Sequence, residues 1–424
     1  MTALAHPGLT YRALFARWAD WLVVAVAASL PWSTSATAIL VVVWLIALIP
    51  TLDWPHVRRE VLSPAGGLPV LLVALGVIGM AWADVSWAER WNGIDSFFKL
   101  LAIPLLLIQF RQTDRGQTVL AVYLGSCAAL MLLSCAVAVW PGIWQTQLEL
   151  WQSRHEFAVP VKNAATQSDE FVTCIAGMLY LTVDALNRRR WLWSAVFILL
   201  IVGMAVDIAF VATGRTALVI MPILLVLFAF RKLSIKSSIV LLAGMVLLSA
   251  GALSFSPYLR GRTTDIWQEY QQYRTEGIAN SSGERLEFWR KSIGFIAEAP
   301  VFGHGTGSIH TLFLRTTEGK SGAAGSDTTN PHNQTLAVAI QLGLAGVAVL
   351  WAMWIAHLLL FRGGGLAEWV GLLVVVQNII GSAFNSHLFD FTQGWVYVFG
   401  VGVAGGLVLR QRALQSPASA NEPH

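Results

Sequence analysis

The chain has 424 residues and a formal net charge of +4, and only 12% of its residues are charged whereas 56% are hydrophobic. A soluble globular protein carries about 25% charged residues, so the composition excludes an ordinary soluble enzyme and predicts a membrane protein with many spans. The three cysteines lie inside apolar runs, which indicates neither a disulfide framework nor a thiolate metal site.

Apolar stretches that are long enough to cross a bilayer recur along the chain. A transmembrane helix needs about 20 mostly apolar residues, so the sequence predicts an all-α polytopic membrane protein with about twelve transmembrane helices. The stretch 96–110 is the shortest of them and contains Pro104. The predicted spans are 14–31, 35–51, 67–84, 96–110, 118–141, 169–186, 191–210, 215–230, 236–256, 333–361, 366–388 and 392–409.

The basic residues of the short loops occur in every second loop and therefore lie on one side of the membrane. Short cytoplasmic loops are enriched in Lys and Arg, and an N-terminus in the cytoplasm keeps this bias at every turn. Both termini are therefore predicted to be cytoplasmic. The residues that set this orientation are Arg12, Arg17, Arg58, Arg59, Arg111, Arg115, Arg188, Arg189, Arg190, Arg231, Lys232, Lys236, Arg362, Arg410 and Arg412.

These assignments divide the chain into three parts: transmembrane helices 1–9 (1–256), an extracytoplasmic loop with amphipathic helices (257–332), and transmembrane helices 10–12 with a cytoplasmic tail (333–424). A loop of that length in a compact protein is usually functional. Residues 263–273 and 284–298 are predicted to be helical within it.

The second predicted loop helix carries a stripe of apolar residues at spacings of three and four, which is expected to lie on the membrane surface. Two glycine-, serine- and threonine-rich stretches, 303–308 (GHGTGS) and 316–330, are predicted to be mobile loop. The stripe consists of Leu286, Trp289, Ile293 and Ile296.

The tenth predicted span begins unusually, with TTNPHNQTLAVAIQLGLAG (328–346). Asn330 is a good N-cap and Pro331 a good first helical residue, which places His332 in the first turn. The N-terminus of a helix favours anions and disfavours a charged imidazole. His332 is therefore expected to be neutral at pH 7 and able to accept a proton. The alternative is a histidine that only caps its helix or anchors it at the interface.

Arg215 opens the eighth predicted span from a very short extracytoplasmic turn, VATGRTALV (211–219). An arginine at this boundary opposes the charge bias and is costly unless it is paired or functional. Its planar guanidinium suits bidentate binding of phosphate oxygens. The alternative is an arginine whose charged end only reaches the interface.

A basic group in the long loop, formed by Arg285, Arg290 and Lys291, is a further candidate for binding an anionic substrate. The alternative for these three residues is a solvated polar face or contact with lipid phosphates.

Several common catalytic motifs are missing. The sequence has no Asp-x-Asp, Walker A, glycine-rich dinucleotide or Gly-x-Ser-x-Gly motif. The nearest paired carboxylates are Asp169 and Glu170. Hydrolysis of ATP, metal-assisted hydrolysis and serine-dependent hydrolysis are therefore unsupported, and a metal-independent reaction on an anionic, lipid-linked substrate remains.

The start of the tenth span resembles the signature of the O-antigen ligase and polymerase superfamily of bacterial inner-membrane proteins. That signature is a His, then Asn, Ser or Gln, nine residues, a Gly, two residues, and Gly, Thr or Tyr. His332, Asn333, Gly343 and Gly346 match it completely. From the residues alone, Gly343 and Gly346 are expected to allow close contact between helices.

Two further segments resemble the superfamily, so that the resemblance covers about residues 207–350. An Arg-Thr-Ala pattern begins at Arg215, although Gly214 stands where the family often has Ser and Val219 where ligases have Leu. These departures shift the balance slightly from ligase towards polymerase. The other segment follows an Arg, Trp, Pro-x-Phe-Gly-x-Gly pattern, carried by Arg285, Trp289, Pro300, Phe302, Gly303 and Gly305.

The resemblance implies a glycosyltransferase of the GT-C-like, many-helix architecture in the bacterial inner membrane, with its active site facing the periplasm. The implied donor is an O-antigen glycan on undecaprenyl pyrophosphate, and the implied acceptor is a sugar hydroxyl of lipid A–core. The implied transfer inverts the anomeric centre and uses no cofactor, nucleotide or divalent metal.

The resemblance also implies roles for single residues. His332 would be the general base for the acceptor hydroxyl, and Arg215, Arg285 and Arg290 would bind the pyrophosphate. Asp390, at the outer end of the last helical pair, would orient His332 or hold an arginine, and a structural role is the alternative.

Asn333 would orient substrate or satisfy backbone groups at the helix start. For the whole protein, the sequence leaves open an O-antigen polymerase, which extends another lipid-linked glycan, and a protein O-oligosaccharyltransferase. A transporter or flippase of lipid-linked sugars would instead place ionisable residues deep in the spans. The absence of a large C-terminal extracytoplasmic domain favours ligation over protein glycosylation.

Overall fold

The computed structural model describes residues 11–140, 159–212 and 214–415. The predicted N-terminal arm before residue 11 and the end of the predicted cytoplasmic tail lie outside this part of the chain. The helices in it are α1 (Tyr11–Ser29), α2 (Thr34–Leu48), α3 (Trp54–Val61), α4 (Pro64–Gly79), α5 (Trp87–Phe98), α6 (Ala102–Gln112), α7 (Gly116–Val139), α8 (Ala164–Asn187), α9 (Trp191–Phe210), α10 (Arg215–Lys232), α11 (Ile235–Phe255), α12 (Pro257–Glu276), α13 (Ser281–Glu298), α14 (Ile309–Thr317), α15 (Gln334–Leu360), α16 (Leu366–Gly381) and α17 (Phe391–Gln415).

The predicted class, an all-α polytopic membrane protein, is confirmed. Among the described residues, seven helices are long and apolar enough to cross a membrane, or eight if α3 and α4, bent by 81°, form one span. Each of the twelve predicted spans overlaps with a helix, although the helix of the eleventh, 366–388, ends at Gly381. The number twelve itself stays a prediction, because several of these helices are shorter or more polar than the seven.

The fourth predicted span, 96–110, is the end of a longer helical stretch. Helical structure runs through Trp87–Gln112, and Ser86 and Glu89 form a capping box at its start. Charged residues in the first half of this stretch interrupt the apolar pattern, so the sequence did not predict this half as part of the span. One of them, Lys99, donates hydrogen bonds of 2.8 Å to the carbonyls of Phe389 and Asp390. The buried charge therefore holds the segment between α16 and α17.

The bundle interior is one continuous apolar core that includes the buried side chains of Trp44, Trp354 and Trp369. Helices α6 and α17 pack closely, as do α4 with α15 and α8 with α9 and α10. Packing against this core places one end of α8, α10, α15 and α17 at the side of the bundle where segment 257–332 lies. The candidate residues collect at that end.

Helix α15 is broken at Gly343, whose φ of 61° and ψ of −161° are not helical. The segment 300–305 inserts at the break: Leu344 N donates to Pro300 O (2.8 Å), and His304 N donates to Ile340 O (2.8 Å). Freed backbone groups at membrane depth need such partners. Gly343 therefore makes room for an inserted backbone, a role different from the predicted helix contact.

The GHGTGS stretch, predicted to be mobile loop, is packed between α4 and α15. Thr306 is fully buried, and its hydroxyl donates to Gly76 O at 2.6 Å. Gly307 N donates to Gln341 Oε1 at 2.8 Å. Its glycines allow close approach of backbones, and the stretch belongs to the bundle interior.

Gly343→Ala is expected to destabilise the protein by about 2 to 3 kcal/mol, because a β-carbon there needs a strained positive φ and would lie 2.3 Å from Val301 O. Thermal unfolding in detergent measures the change. Gly177→Ala, in the open interior of α8, is the matched control and should be neutral or slightly stabilising. Equal midpoints for wild type and Gly343→Ala would contradict the inserted-segment account.

The loop segment 257–332 packs on the bundle through its own small core, which includes Phe288, Phe295, Phe313 and Ile340. The face of α13 that turns inward is therefore the one with Phe288 and Phe295. The predicted stripe divides between faces: Ile293 is 63% exposed, whereas Ile296 packs against this core. The helices predicted at 263–273 and 284–298 are present as the longer α12 and α13.

Candidate active site

His332 lies immediately before α15 and not in its first turn. Asn333 is the N-cap, since its side chain accepts from Leu336 N at 3.1 Å. His332 has a left-handed φ of 52°, and its backbone N donates to the Asn330 side chain at 2.9 Å. The predicted cap at Asn330 is therefore displaced by three residues. Asn330 fixes the turn that presents the imidazole.

A hydrogen-bonded chain orients the imidazole ring. His332 Nδ1 lies 2.9 Å from Asn385 Oδ1, and Asn385 Nδ2 donates to Asp390 Oδ2 at 2.6 Å. Because the carboxylate accepts, the Asn385 amide must direct its NH₂ there and its oxygen to the histidine. Nδ1 then carries the proton, and Nε2 is the nitrogen that can act as a base. Asp390 thus acts on His332 through Asn385, a residue that the sequence did not single out.

The two segments that carry these residues, 330–334 and 382–390, are held together by Gln334 and Asn333. Gln334 is fully buried; its N donates to Ser382 O (2.8 Å), and its Oε1 accepts from Leu388 N (3.1 Å). The Asn333 side chain donates to Ala383 O at 3.2 Å. Of the two predicted roles for Asn333, the structure places it in backbone capping and loop attachment.

Burial keeps His332 neutral. It lowers the pKa of the imidazole, with a smaller contribution in the same direction from the Arg285 charge, while the Asn385 hydrogen bond opposes the shift. The Phe288 ring covers the imidazole, with centroids 6.3 Å apart. The predicted neutral state thus has a different main cause, desolvation, from the helix dipole invoked for it.

Burial also raises the pKa of Asp390, to about 6, against the opposing effects of Lys99 and the Asn385 hydrogen bond. Asp390 is therefore mostly ionised at pH 7 and accepts from Asn385 in that state. Protonation of this carboxyl would remove the charge that fixes the Asn385 amide.

Arg215 is held by a carboxylate that the sequence analysis missed. Its two terminal nitrogens donate to Glu269 at 2.7 and 2.8 Å, and the Ser282 hydroxyl donates to the same carboxylate at 2.5 Å. The Arg215 hydrogen bonds lower the pKa of Glu269 to about 2. The Arg215 guanidinium is thus bound in the bidentate manner that a phosphate would need.

Arg285 lies one turn before Phe288 on α13 and forms no ion pair with any described carboxylate. Burial and the nearby Arg215 charge lower its pKa, and Glu269 acts weakly in the opposite direction. A half-buried guanidinium without a carboxylate partner is a strong site for an anion.

Arg290 lies apart from this group. Its side chain is 65% exposed and donates to Glu287 at 2.5 and 2.9 Å. Arg290 is five residues after Arg285, which places it on another face of α13. Lys291 donates to the Ala324 carbonyl (2.8 Å) and so fastens the loop.

Two cavities meet at Arg285 and Thr216. One is largely apolar, has a volume of about 570 Å³, and is lined by α10, α12 and α13, including Trp267, Leu286 and Trp289. Arg215 lies on its wall. The other is polar, has a volume of about 330 Å³, and is lined by residues of α8, α17 and the 382–390 segment.

The second cavity also contacts Asn385 and Asp390, the residues that orient His332. Among the described residues, no group of three or more His, Cys, Asp or Glu side chains is placed to hold a metal ion. The candidate site therefore combines the neutral imidazole of His332, the guanidinium of Arg285, which has no ion-pair partner among the described residues, an apolar cavity and a polar cavity.

Residues 204–351 match the family model described as O-antigen ligase. This match supports the O-antigen ligase superfamily for the chain. The matched segment contains Arg215, Arg285 and His332, whereas Asn385 and Asp390 lie beyond it. No curated protein matches the chain.

Members of the O-antigen ligase superfamily are glycosyltransferase-like enzymes that use lipid-linked glycans in a membrane. The family signature at His332 follows from the geometry: Asn333 caps the helix that follows the histidine, and Gly343, ten residues after Asn333, admits the 300–305 segment. The signature therefore specifies a histidine before a capped helix and the break within that helix.

If His332 acts as a base, the rate of glycan transfer is expected to fall at low pH only below 6.5, the ordinary pKa of histidine. The lowered pKa keeps the imidazole neutral to a lower pH, so the rate is constant at pH 7 and is lost as the pH falls through the lowered value. Asp390, with a pKa of about 6, is protonated in the same range and makes the decline steeper. A pH–rate profile tests this, and a decline that begins above pH 6.5 would contradict it.

Glu269→Gln is expected to raise the affinity for an anionic donor by about threefold to tenfold, because a phosphate would no longer compete with a carboxylate for Arg215. Binding of undecaprenyl diphosphate measures the effect. Glu287→Gln is the matched control, since Glu287 pairs with Arg290 instead. A lower affinity in Glu269→Gln would contradict this expectation and would show that Glu269 positions Arg215 for binding of the donor.

Proposed function

We propose that this protein is an O-antigen ligase. It transfers O-antigen polysaccharide from undecaprenyl pyrophosphate to a sugar hydroxyl of lipid A–core, in the periplasmic leaflet of the bacterial inner membrane. The observation that carries the proposal is the position of Arg285, which lies between an apolar cavity and a polar cavity that also contacts the groups orienting His332.

An amphiphilic donor fits this arrangement. The polyprenyl chain would lie in the apolar cavity, and the diphosphate would bind to Arg285 at its end. Arg215, on the same wall, would join once Glu269 releases it. Cationic donors placed at the departing oxygen stabilise the charge that develops there, and such stabilisation is often the largest contribution to catalysis.

In the proposed reaction, His332 Nε2 removes the proton from the acceptor hydroxyl. The hydroxyl oxygen forms a bond to C1 of the donor sugar from the side opposite the phosphate, which inverts this carbon. The bond between C1 and the phosphate oxygen breaks, and its electron pair leaves with undecaprenyl pyrophosphate. Asn385 holds the imidazole in the tautomer that the step needs.

The polar cavity supports a saccharide substrate but does not distinguish between acceptors. An O-antigen polymerase would use another lipid-linked glycan, and a protein O-oligosaccharyltransferase would use a serine hydroxyl, both with the same base and the same cationic groups. The departures at Gly214 and Val219 keep the polymerase as the main alternative.

The test is transfer by the purified protein in detergent with EDTA, given the lipid-linked glycan and lipid A–core. The ligase proposal predicts that lipid A–core shifts to a larger size on a gel. Lengthening of the donor glycan with lipid A–core unchanged would indicate a polymerase. Transfer that stops in EDTA and returns with a divalent metal would contradict the metal-independent part of the proposal.

A further inference from the structure

The polar cavity contains a carboxylate that the proposed reaction does not use. Asp169, near the start of α8, is only 2% exposed and lies on the cavity wall. Its Oδ1 has no partner at hydrogen-bond distance and angle among the described residues, although the Gln393 side chain lies close to the carboxyl group, and its Oδ2 lies 3.6 Å from His387 Nε2. A buried carboxylate oxygen without a donor is costly, so its position needs an explanation.

The neighbours of Asp169 do not supply a full positive charge. Burial lowers the pKa of His387 to about 4, and the Arg285 charge adds to this, so His387 is neutral at pH 7. Lys162, the nearest described lysine in the sequence, is bound to Glu170 and Thr392. The free oxygen is therefore available to neutral donors such as hydroxyl groups.

The remaining lining of the cavity suits a sugar ring. It combines hydroxyl and amide groups with one aromatic surface, against which the apolar face of a pyranose can pack. The cavity volume of about 330 Å³ is many times what a single water molecule needs, and it leaves room for one sugar with its substituents. The lining residues used here are Thr166, Asp169, Phe391, Thr392 and Gln393.

We propose that this cavity binds the first sugar of the donor, the one joined to the diphosphate, and that Asp169 accepts hydrogen bonds from its hydroxyl groups. This inference rests on the proposed function. Arg285 and Thr216 line both cavities, so a group attached to a diphosphate at Arg285, on the side opposite the polyprenyl chain, enters the polar cavity. Asp169 is then a residue that determines donor specificity.

The test compares the binding of three lipids to the full-length protein in detergent: undecaprenyl diphosphate, and the same lipid carrying one N-acetylglucosamine or one galactose. Wild type should bind at least one sugar-bearing lipid about tenfold more tightly than the sugar-free lipid, as one or two hydrogen bonds to the Asp169 carboxyl group allow. Asp169→Asn should lose most of this difference and keep the affinity for the sugar-free lipid.

Asp207→Asn is the matched control. Asp207 is a fully buried carboxylate of the neighbouring α9 that lines neither cavity, and its oxygens accept from Ser134 and Gln167. This variant should keep the full advantage of the sugar. Gln393→Leu, at a partly exposed cavity residue, provides a second test if Asp169→Asn does not fold, and it should also weaken binding of the sugar-bearing lipid alone.

The outcomes separate this inference from the proposed function. The sugar site is overturned if wild type binds the sugar-bearing and sugar-free lipids with equal affinity, or if Asp169→Asn still binds the sugar-bearing lipid more tightly. The ligase proposal stands in both cases, provided that binding of the sugar-free lipid needs Arg285. If Asp169→Asn changes only the KM for lipid A–core, the cavity belongs to the acceptor and the inference fails. If wild type and Arg285→Ala both fail to bind the sugar-free lipid, the proposed function itself fails.

Discussion

His332→Gln is expected to lower the rate of glycan transfer by about 10²-fold to 10⁴-fold, the range that a general base contributes. Glutamine can keep a hydrogen bond to Asn385, but its amide cannot take the proton from the acceptor hydroxyl. Affinity for the donor should change by less than about twofold, because the diphosphate is bound by other residues. Single-turnover kinetics with saturating donor measures the rate, and binding of undecaprenyl diphosphate measures the affinity.

The matched control for this variant is His310→Gln. His310 lies in the same loop segment, half-exposed and 3.5 Å from Asp327, and lines neither cavity. Its replacement should leave the rate unchanged. If the His332→Gln protein transfers glycan at a rate close to that of wild type, His332 is not the general base and has only a structural role in the turn before α15.

Arg285→Ala is expected to weaken binding of undecaprenyl diphosphate by about tenfold to a hundredfold and to lower the transfer rate as well, because hydrogen bonds between ionised groups are the strong ones. Arg285→Lys should restore only part of the binding, since an ammonium cannot form the bidentate contact. Titration of the purified variants with the lipid measures the effect.

Arg290 provides the comparison within the same helix. The sequence pattern grouped Arg285 with Arg290, whereas the structure pairs Arg290 with Glu287 at the surface. Arg290→Ala is therefore expected to bind the lipid as wild type does. Equal losses in Arg285→Ala and Arg290→Ala would indicate general attraction of an anion to the loop and not a defined diphosphate site.

The broad fold was predictable because transmembrane helices are local features. An apolar run within a membrane satisfies its backbone groups by forming a helix, so each of the twelve predicted stretches contains one. The predictions were wrong where a contact between distant segments stabilises a structure that the local sequence pattern does not favour. Lys99 is accepted inside a span because two backbone carbonyls accept hydrogen bonds from its ammonium, and GHGTGS packs inside the bundle because a broken helix pairs with it.

The candidate site was predictable in part for a similar reason. His332 and Arg215 were visible because each opens a span where an aliphatic residue would be expected. Asn385 and Glu269 were not, since an asparagine in a loop and a glutamate on a polar helix are ordinary by themselves. Their roles depend on contacts over 53 and 54 residues, which no local pattern reports.

The central claim is that Arg285 holds the donor diphosphate between the two cavities, within reach of His332. A cryo-EM structure of the His332→Gln protein with the intact lipid-linked glycan tests it most directly. The account predicts the diphosphate at Arg285, the polyprenyl chain in the apolar cavity and C1 of the first sugar facing residue 332. A diphosphate bound elsewhere, with Arg285 free of it, would contradict the account.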